Sequence, residues 1–183
     1  MMRKIALPLT LLGAAVLAPP LQAAEGNINV TGRVVESSCV LHASSKSQKV
    51  DMGTMFAGGP IGVLNVGQSI TVILENCPES ISQVQIRFEG TAASSNDFPG
   101  KVFAADNSDQ PDAAKNVGFL ISNAQGDRGG YFEDLLRVNE FSPAIGLVNG
   151  INFLYFYMGY STGSAMPTVG VARARVQFSL IYP

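Results

Sequence analysis

The sequence has no tryptophan, one histidine and two cysteines, and only 14% of its residues are charged. A zinc site takes four protein ligands, or three and a water, so His42 with Cys39 and Cys77 is too small a set. The acidic stretch Asp106–Asp112 lacks the glycine and the bidentate glutamate of a calcium loop. We therefore expect these carboxylates to be solvated, and we expect neither a metal nor a cofactor.

Enzymatic motifs are also missing. The string Gly159–Gly163 matches the Gly-x-Ser-x-Gly pattern of serine hydrolases, but that motif requires an α/β sheet and a histidine after the serine. Here His42 precedes Ser161, and no phosphate loop or dinucleotide fingerprint occurs. We expect no enzymatic activity.

A third absence is any run of basic residues after the N-terminus. Arg3 and Lys4 are the only charged residues in residues 1–23. Without that stretch the chain has 12 − 2 = 10 basic and 14 acidic residues, so its formal net charge changes from −2 to −4. An acidic chain without a basic patch is a poor partner for nucleic acid.

Residues 1–23 have the pattern of a secretory signal peptide. Two bases precede the apolar core Ile5–Leu17, which is too short for a membrane span of ~20 residues. We expect cleavage after Ala23, with Ala24 as the alternative site.

Export to an oxidising compartment bears on the two cysteines. A single disulfide between Cys39 and Cys77 is the simplest arrangement for a secreted chain. The two residues are 77 − 39 = 38 positions apart. Closing a loop of that length would stabilise the fold by ~4 kcal/mol on the chain-entropy model.

The remaining chain is rich in the alternating patterns of β-strands. Apolar and polar residues alternate from Asn27 to Val34, from Gln83 to Glu89, and from Ala172 to Tyr182. The last of these segments runs almost to Pro183, and we expect no later strand of this chain to pair with it. An apolar run resumes at Cys39–Leu41, and further strands are expected at Val50–Met55, Ile70–Cys77, Val117–Ile121 and Ile151–Tyr160, the last buried on both faces. Asn149–Gly150 predicts a hairpin turn before it, and Tyr131–Val138 also fits one face of a short helix. Seven or eight short strands predict an antiparallel β-sandwich of immunoglobulin-like size.

A set of short motifs follows in order along the chain. They are Ile28, Val30, Gly32 and Val34 in the N-terminal segment, Cys39, Leu74–Cys77, Phe88–Gly90, the aromatic strand Phe153–Tyr160, Gly170, and the penultimate Tyr182. In this order and spacing, the mature chain resembles the structural pilins of the chaperone–usher pathway, the type 1 fimbrial subunit family of Gram-negative bacteria.

The resemblance implies an incomplete immunoglobulin-like β-sandwich at residues 36–183, which lacks its final strand, and a donor-strand extension at residues 24–35. In that family a periplasmic chaperone fills the open groove until the extension of the next subunit displaces it, and this donor-strand exchange links subunits into a fibre. The donor residues would be Ile28, Val30, Gly32 and Val34, and the acceptor edge would contain Gly170, Ala172, Ala174, Val176, Phe178, Leu180 and Tyr182. The implied partners are other pilin subunits, the chaperone and an outer-membrane usher, and the implied route leads through the periplasm to a surface fimbria.

Three alternatives stay open at this point. The segment Asn27–Val34 could pair within its own domain, as neighbouring elements generally do. The chain could be a minor, adaptor or tip-proximal subunit instead of a major shaft subunit. It could also be a self-contained secreted sandwich that binds carbohydrate, with sugars stacked on its tyrosines. The tyrosines in question are Tyr131, Tyr155, Tyr157 and Tyr160.

Overall fold

A computed structural model describes residues 38–57, 63–95, 97–124, 134–162 and 165–183, with only the backbone at 63–66. All of these residues belong to one compact unit, Val35–Pro183. The predicted signal peptide at 1–23 and the predicted donor extension at 24–35, with Ile28, Val30, Gly32 and Val34, lie outside the described residues.

The described chain forms two antiparallel sheets. Its strands are β1 (Val40–Leu41), β2 (Val63–Cys77), β3 (Gln83–Glu89), β4 (Phe103–Ala104), β5 (Val117–Asn123), β6 (Ile145–Gly146), β7 (Gly150–Thr162) and β8 (Gln177–Ile181). The larger sheet has the order β1-β2-β7-β5-β4, and the smaller sheet has the order β6-β3-β8. The described helical structure is one 3₁₀ turn, Ala43–Ser45, and no helix among these residues is long and apolar enough to cross a membrane.

The core lies between the two sheets. Val84, Ile86 and Phe88 of β3 are buried, while the alternate residues of that strand are more exposed, as the sequence pattern predicts. From the larger sheet, Val72 of β2 lies opposite Leu154 of β7 in the strand register, and both are buried in the same apolar cluster. The predicted β-sandwich is therefore confirmed.

The predicted disulfide is also confirmed. Cys39 and Cys77 are bonded and buried, with their Cα atoms 4.2 Å apart. Cys39 directly precedes β1, and Cys77 ends β2, which pairs with β1 at Val40↔Glu75. The bond therefore fastens the short edge strand β1 to the long strand beside it.

Two local predictions are wrong, and one segment that was left ambiguous is described in part. Val50–Met55 forms no strand. Asn149–Gly150 does not connect a hairpin, because β6 belongs to the smaller sheet and β7 to the larger one; the chain crosses between sheets here, and Gly150 has a φ of +94°. In the segment Tyr131–Val138, residues 131–133 are outside the described chain and residues 134–138 are not helical.

The first half of β7 is buried on one face only, contrary to the prediction of two buried faces. Leu154 and Phe156 are buried, whereas Ile151, Phe153 and Tyr155 remain about half exposed. The inward residues contact the smaller sheet, but the outer face of the larger sheet is not enclosed at these positions. Burial on consecutive residues begins only at Gly159.

Candidate functional site

The last strand lies at an open edge of the smaller sheet. β8 pairs antiparallel with β3, in a register that runs from Glu89↔Gln177 to Gln85↔Ile181. Its other edge has no partner strand among the described residues. The predicted strand 172–182 is shorter than expected, because β3 ends at Glu89 and provides no neighbour for residues before Gln177.

The side chains along this segment are apolar and only partly covered. Those that pack against the core while remaining partly exposed are Ala172, Val176, Phe178, Leu180 and Tyr182. Ala174 and Gly170 are exposed instead. An apolar row that contacts the core on one side and solvent on the other is the arrangement expected beside a missing strand.

Aromatic contacts connect this row to the opposite sheet. The rings of Phe178 and Phe88 are 6.2 Å apart, and Phe88 meets Phe156 edge-to-face at 5.0 Å. Burial raises the pKa of the Tyr182 phenol. The open edge is therefore packed against the core through the contacts among these aromatic rings.

The direction of the backbone N–H and C=O groups shows which residues of β8 face β3 and which face the open edge. At the edge of β3 that faces away from β8, the hydrogen-bonded groups belong to even-numbered residues. There the carbonyls of Ile86 and Phe88 accept hydrogen bonds from the amides of Ser142 and Asn139, respectively. The odd-numbered residues of β3 therefore pair with odd-numbered residues of β8, because alternate residues of a strand point to opposite edges. The even-numbered amides and carbonyls of β8 consequently point to the open edge.

Residues 171–175 continue the same alternation without a strand beside them. The backbone groups of Val171, Arg173 and Arg175 bond to the loop segment Asp106–Ala114. Gly170 lies so close to this segment that a Cβ there would be 2.6 Å from Ala113 C. In the described chain, the even-numbered backbone groups from 172 to 182 have no hydrogen-bond partner.

The loop segment is a feature that the sequence did not reveal. Asp106 was expected to be solvated, yet its carboxylate accepts from Arg175 N at 2.5 Å. Asn107 is buried and bonds to two backbone groups. No motif marks these residues, because their partners lie more than sixty positions away.

Ser161 and His42, the residues of the hydrolase-like and metal-ligand patterns, do not form a reactive site. Ser161 is fully buried within β7 and donates to the carbonyl of Thr162. His42 bonds Ser44 Oγ at 2.7 Å at the protein surface and lies 3.7 Å from a Glu75 carboxylate oxygen. Within the described ranges, no three His, Cys, Asp or Glu side chains come together as a metal site.

Comparison with known proteins supports a structural role. The family model described as "Fimbrial protein" matches residues 28–183. The chain is 28% identical to a probable major fimbrial subunit of Escherichia coli O157:H7 over 172 residues, which cover 88% of this chain and 85% of the relative. It is 27% identical to the long polar fimbria protein A of Salmonella typhimurium, covering 100% of this chain and 98% of the relative.

Solved structures share the fold. A chaperone–usher pilus structure matches with a TM-score of 0.62 and 19% identity, covering 91% of this chain and 100% of that chain. The P pilus rod subunit PapA matches with a TM-score of 0.62 and 17% identity, covering 80% and 100%. These neighbours have the immunoglobulin-like pilin architecture, and the relatives are structural subunits, not enzymes. The chain therefore belongs to the fimbrial protein family and is a structural subunit of a surface fimbria, in which it contacts other pilin subunits.

Proposed function

We propose that this subunit polymerises by donor-strand complementation. Residues 24–35 of one copy, the donor segment, would pair with the open edge of residues 172–182 in the next copy. The observation that carries the proposal is the unpaired, partly exposed apolar edge at β8. Such an edge is a template for strand addition, and left uncovered it promotes aggregation.

The composition of the donor segment suits that edge. Ile28, Val30 and Val34 alternate with polar residues, so one face of an extended strand is apolar. Each would contribute ~1.5–3 kcal/mol on full burial, and the strand would gain ladder hydrogen bonds. Gly32 adds no buried surface, which suits a point where the groove leaves no room for a side chain.

We place the protein in the shaft of the fibre. Its relatives include a protein named as a probable major fimbrial subunit, and a structural neighbour is named as a rod subunit. A periplasmic chaperone would cover the apolar edge before assembly, and an outer-membrane usher would receive the complex. The signal peptide at residues 1–23 would direct the chain into the periplasm.

Two substitutions test the donor assignment. Ile28→Asp places a charge on the apolar face, and Gly32→Phe fills the position where no side chain fits. Both should abolish fibres while the disulfide-bonded domain still accumulates with its chaperone. The matched control is Asn29→Asp, which adds a charge on the polar face and should assemble. Fibres are counted by electron microscopy, and subunit ladders are read on gels of unboiled samples. Normal ladders from both Ile28→Asp and Gly32→Phe would contradict the assignment.

A further inference from the structure

The paired part of the acceptor edge is shorter than the donor it would receive. β8 has five residues, of which only Phe178 and Leu180 are even-numbered and directed to the open edge. The apolar donor positions run from Ile28 to Val34, which is 34 − 28 + 1 = 7 residues. An edge formed by β8 alone would leave part of that donor strand without hydrogen-bond partners.

The loop segment Asp106–Ala114, here named the clasp, takes the place of β3 beyond Glu89. Val171 N donates to Asp112 O at 2.9 Å, and Val171 O accepts from Ala114 N at 3.1 Å. Arg173 O accepts from Asp106 N at 2.7 Å, and Arg175 N donates to the Asp106 carboxylate at 2.5 Å. All of these bonds are made by odd-numbered residues, at the edge of the segment 171–175 that is opposite the open edge.

Asn107 is the central residue of the clasp. It is only 4% exposed, its Nδ2 donates to Val171 O at 2.8 Å, and its Oδ1 accepts from Arg173 N at 2.9 Å. A carboxamide carries both a donor and an acceptor, so this one side chain serves two successive backbone groups, as a neighbouring strand would. An apolar side chain of similar size provides neither group.

We infer that the clasp positions residues 171–175 so that the acceptor edge extends beyond β8, and that Asn107 and Asp106 fix its conformation. This inference rests on the proposed donor-strand function. With the clasp in place, the row of even-numbered residues whose backbone groups face the open edge extends from Phe178 and Leu180 of β8 back through Val176 and Ala174 to Ala172. Tyr182, directly after β8, lies at the other end of this row and does not depend on the clasp. That length accommodates the whole apolar part of the donor segment.

Hydrogen exchange in assembled fibres tests this role. Fibres of the full mature chain are exchanged in deuterated buffer, dissolved and examined by residue-resolved NMR. In wild-type fibres the amides of Ala172, Ala174 and Val176 should be protected together with those of Phe178 and Leu180. Asn107→Leu should lower protection at the first three by about tenfold or more, the effect of losing two hydrogen bonds. Protection at the last two should stay at the wild-type level.

Surface variants make the test independent of core folding. Asp106 is exposed, so Asp106→Ala should leave the domain folded yet lower protection at Ala174 and Val176. Asp106→Asn keeps an acceptor for Arg175 N and should restore protection. Asp109→Ala, in the same loop but without a bond to residues 171–175, should behave as wild type. A general loss of stability would not produce this positional pattern.

The outcomes separate the two claims. Wild-type fibres that protect Phe178 and Leu180 but not Ala172, Ala174 and Val176 would overturn the role of the clasp and leave donor-strand assembly standing. Unchanged protection in both Asn107→Leu and Asp106→Ala fibres would also overturn the role of the clasp. If the wild-type chain forms no fibres, the proposed function and the clasp both fail.

Discussion

Ser179 of β8 donates a hydrogen bond to the carboxylate of Glu89 in β3, with 2.6 Å between the two oxygens. The same carboxylate oxygen accepts from Arg87 at 2.8 Å. The pKa of Glu89 lies below its ordinary value, first because Ser179 bonds the ionised form and second because Arg87 does. The strand that presents the open edge is therefore attached to its neighbour partly by an ionised side chain.

Acidification should weaken this attachment. Because the pKa of Glu89 is lower in the folded chain than in the unfolded chain, its contribution to stability is present above the unfolded value, near 4.5, and is lost as the pH falls through the folded value. We expect Glu89→Gln to lose less stability than wild type between pH 6 and pH 3. Urea unfolding at each pH, followed by circular dichroism, measures this, with Glu79→Gln as the control for the lost charge. Equal pH dependence in Glu89→Gln and wild type would contradict the assignment.

Gly170 should not tolerate a side chain. A Cβ at this position would be 2.6 Å from Ala113 C and 2.7 Å from Asp112 O, and both are backbone atoms that cannot rotate away. We expect Gly170→Ala to lower the free energy of unfolding by about 1–3 kcal/mol, the range for overpacking. Gly146→Ala is the matched control, because a Cβ there meets nothing within 4 Å, and it should change stability by about 0.5 kcal/mol or less. Equal effects of the two changes would show that the close approach at Gly170 is absent.

The two faces of β7 should respond differently to truncation. Phe156 is buried against Phe88, whereas Phe153 is 49% exposed and stacks on Tyr155. Phe156→Ala should cost about 3–5 kcal/mol of unfolding free energy. Phe153→Ala should cost about 1 kcal/mol or less. Chemical denaturation of both variants measures the difference, and a cost at Phe153 as large as that at Phe156 would mean that the outer face is enclosed.

Loss of the disulfide should destabilise the domain without changing its sheet order. The bond closes a separation of 38 residues and fastens β1 to β2. We expect the double change Cys39→Ser with Cys77→Ser to lower the unfolding free energy by roughly 2–4 kcal/mol. Circular dichroism during thermal and urea unfolding provides the measurement. A stability equal to wild type would show that β1 is held by its own packing.

Period-two alternation was enough to predict β3. In Gln83–Glu89 every second residue is apolar and buried, so the sequence pattern and the burial pattern coincide. The same alternation predicted the row of even-numbered apolar residues in the C-terminal segment, most of which pack against the core. The cysteine pair was predictable as well, because a secreted chain with two cysteines has only one internal pairing.

Other features depend on neighbours that are distant in sequence. β4 and β6 have two residues each, too few to produce a periodic signal. Asp106 and Asn107 form the clasp through backbone groups 64 to 69 positions away, so nothing local distinguishes them from solvated loop residues. The exposed face of β7 was missed because aromatic residues fill both faces of that strand, and only the layer arrangement decides which face is covered.

The most direct test of the account is to express the mature chain with and without residues Ala24–Val34 in a periplasm that contains a matching chaperone and usher. The account predicts surface fibres from the full chain alone, while the truncated chain accumulates as a complex with the chaperone. A full chain that instead accumulates as a stable, soluble monomer without chaperone would contradict it, because the sandwich would then complete itself.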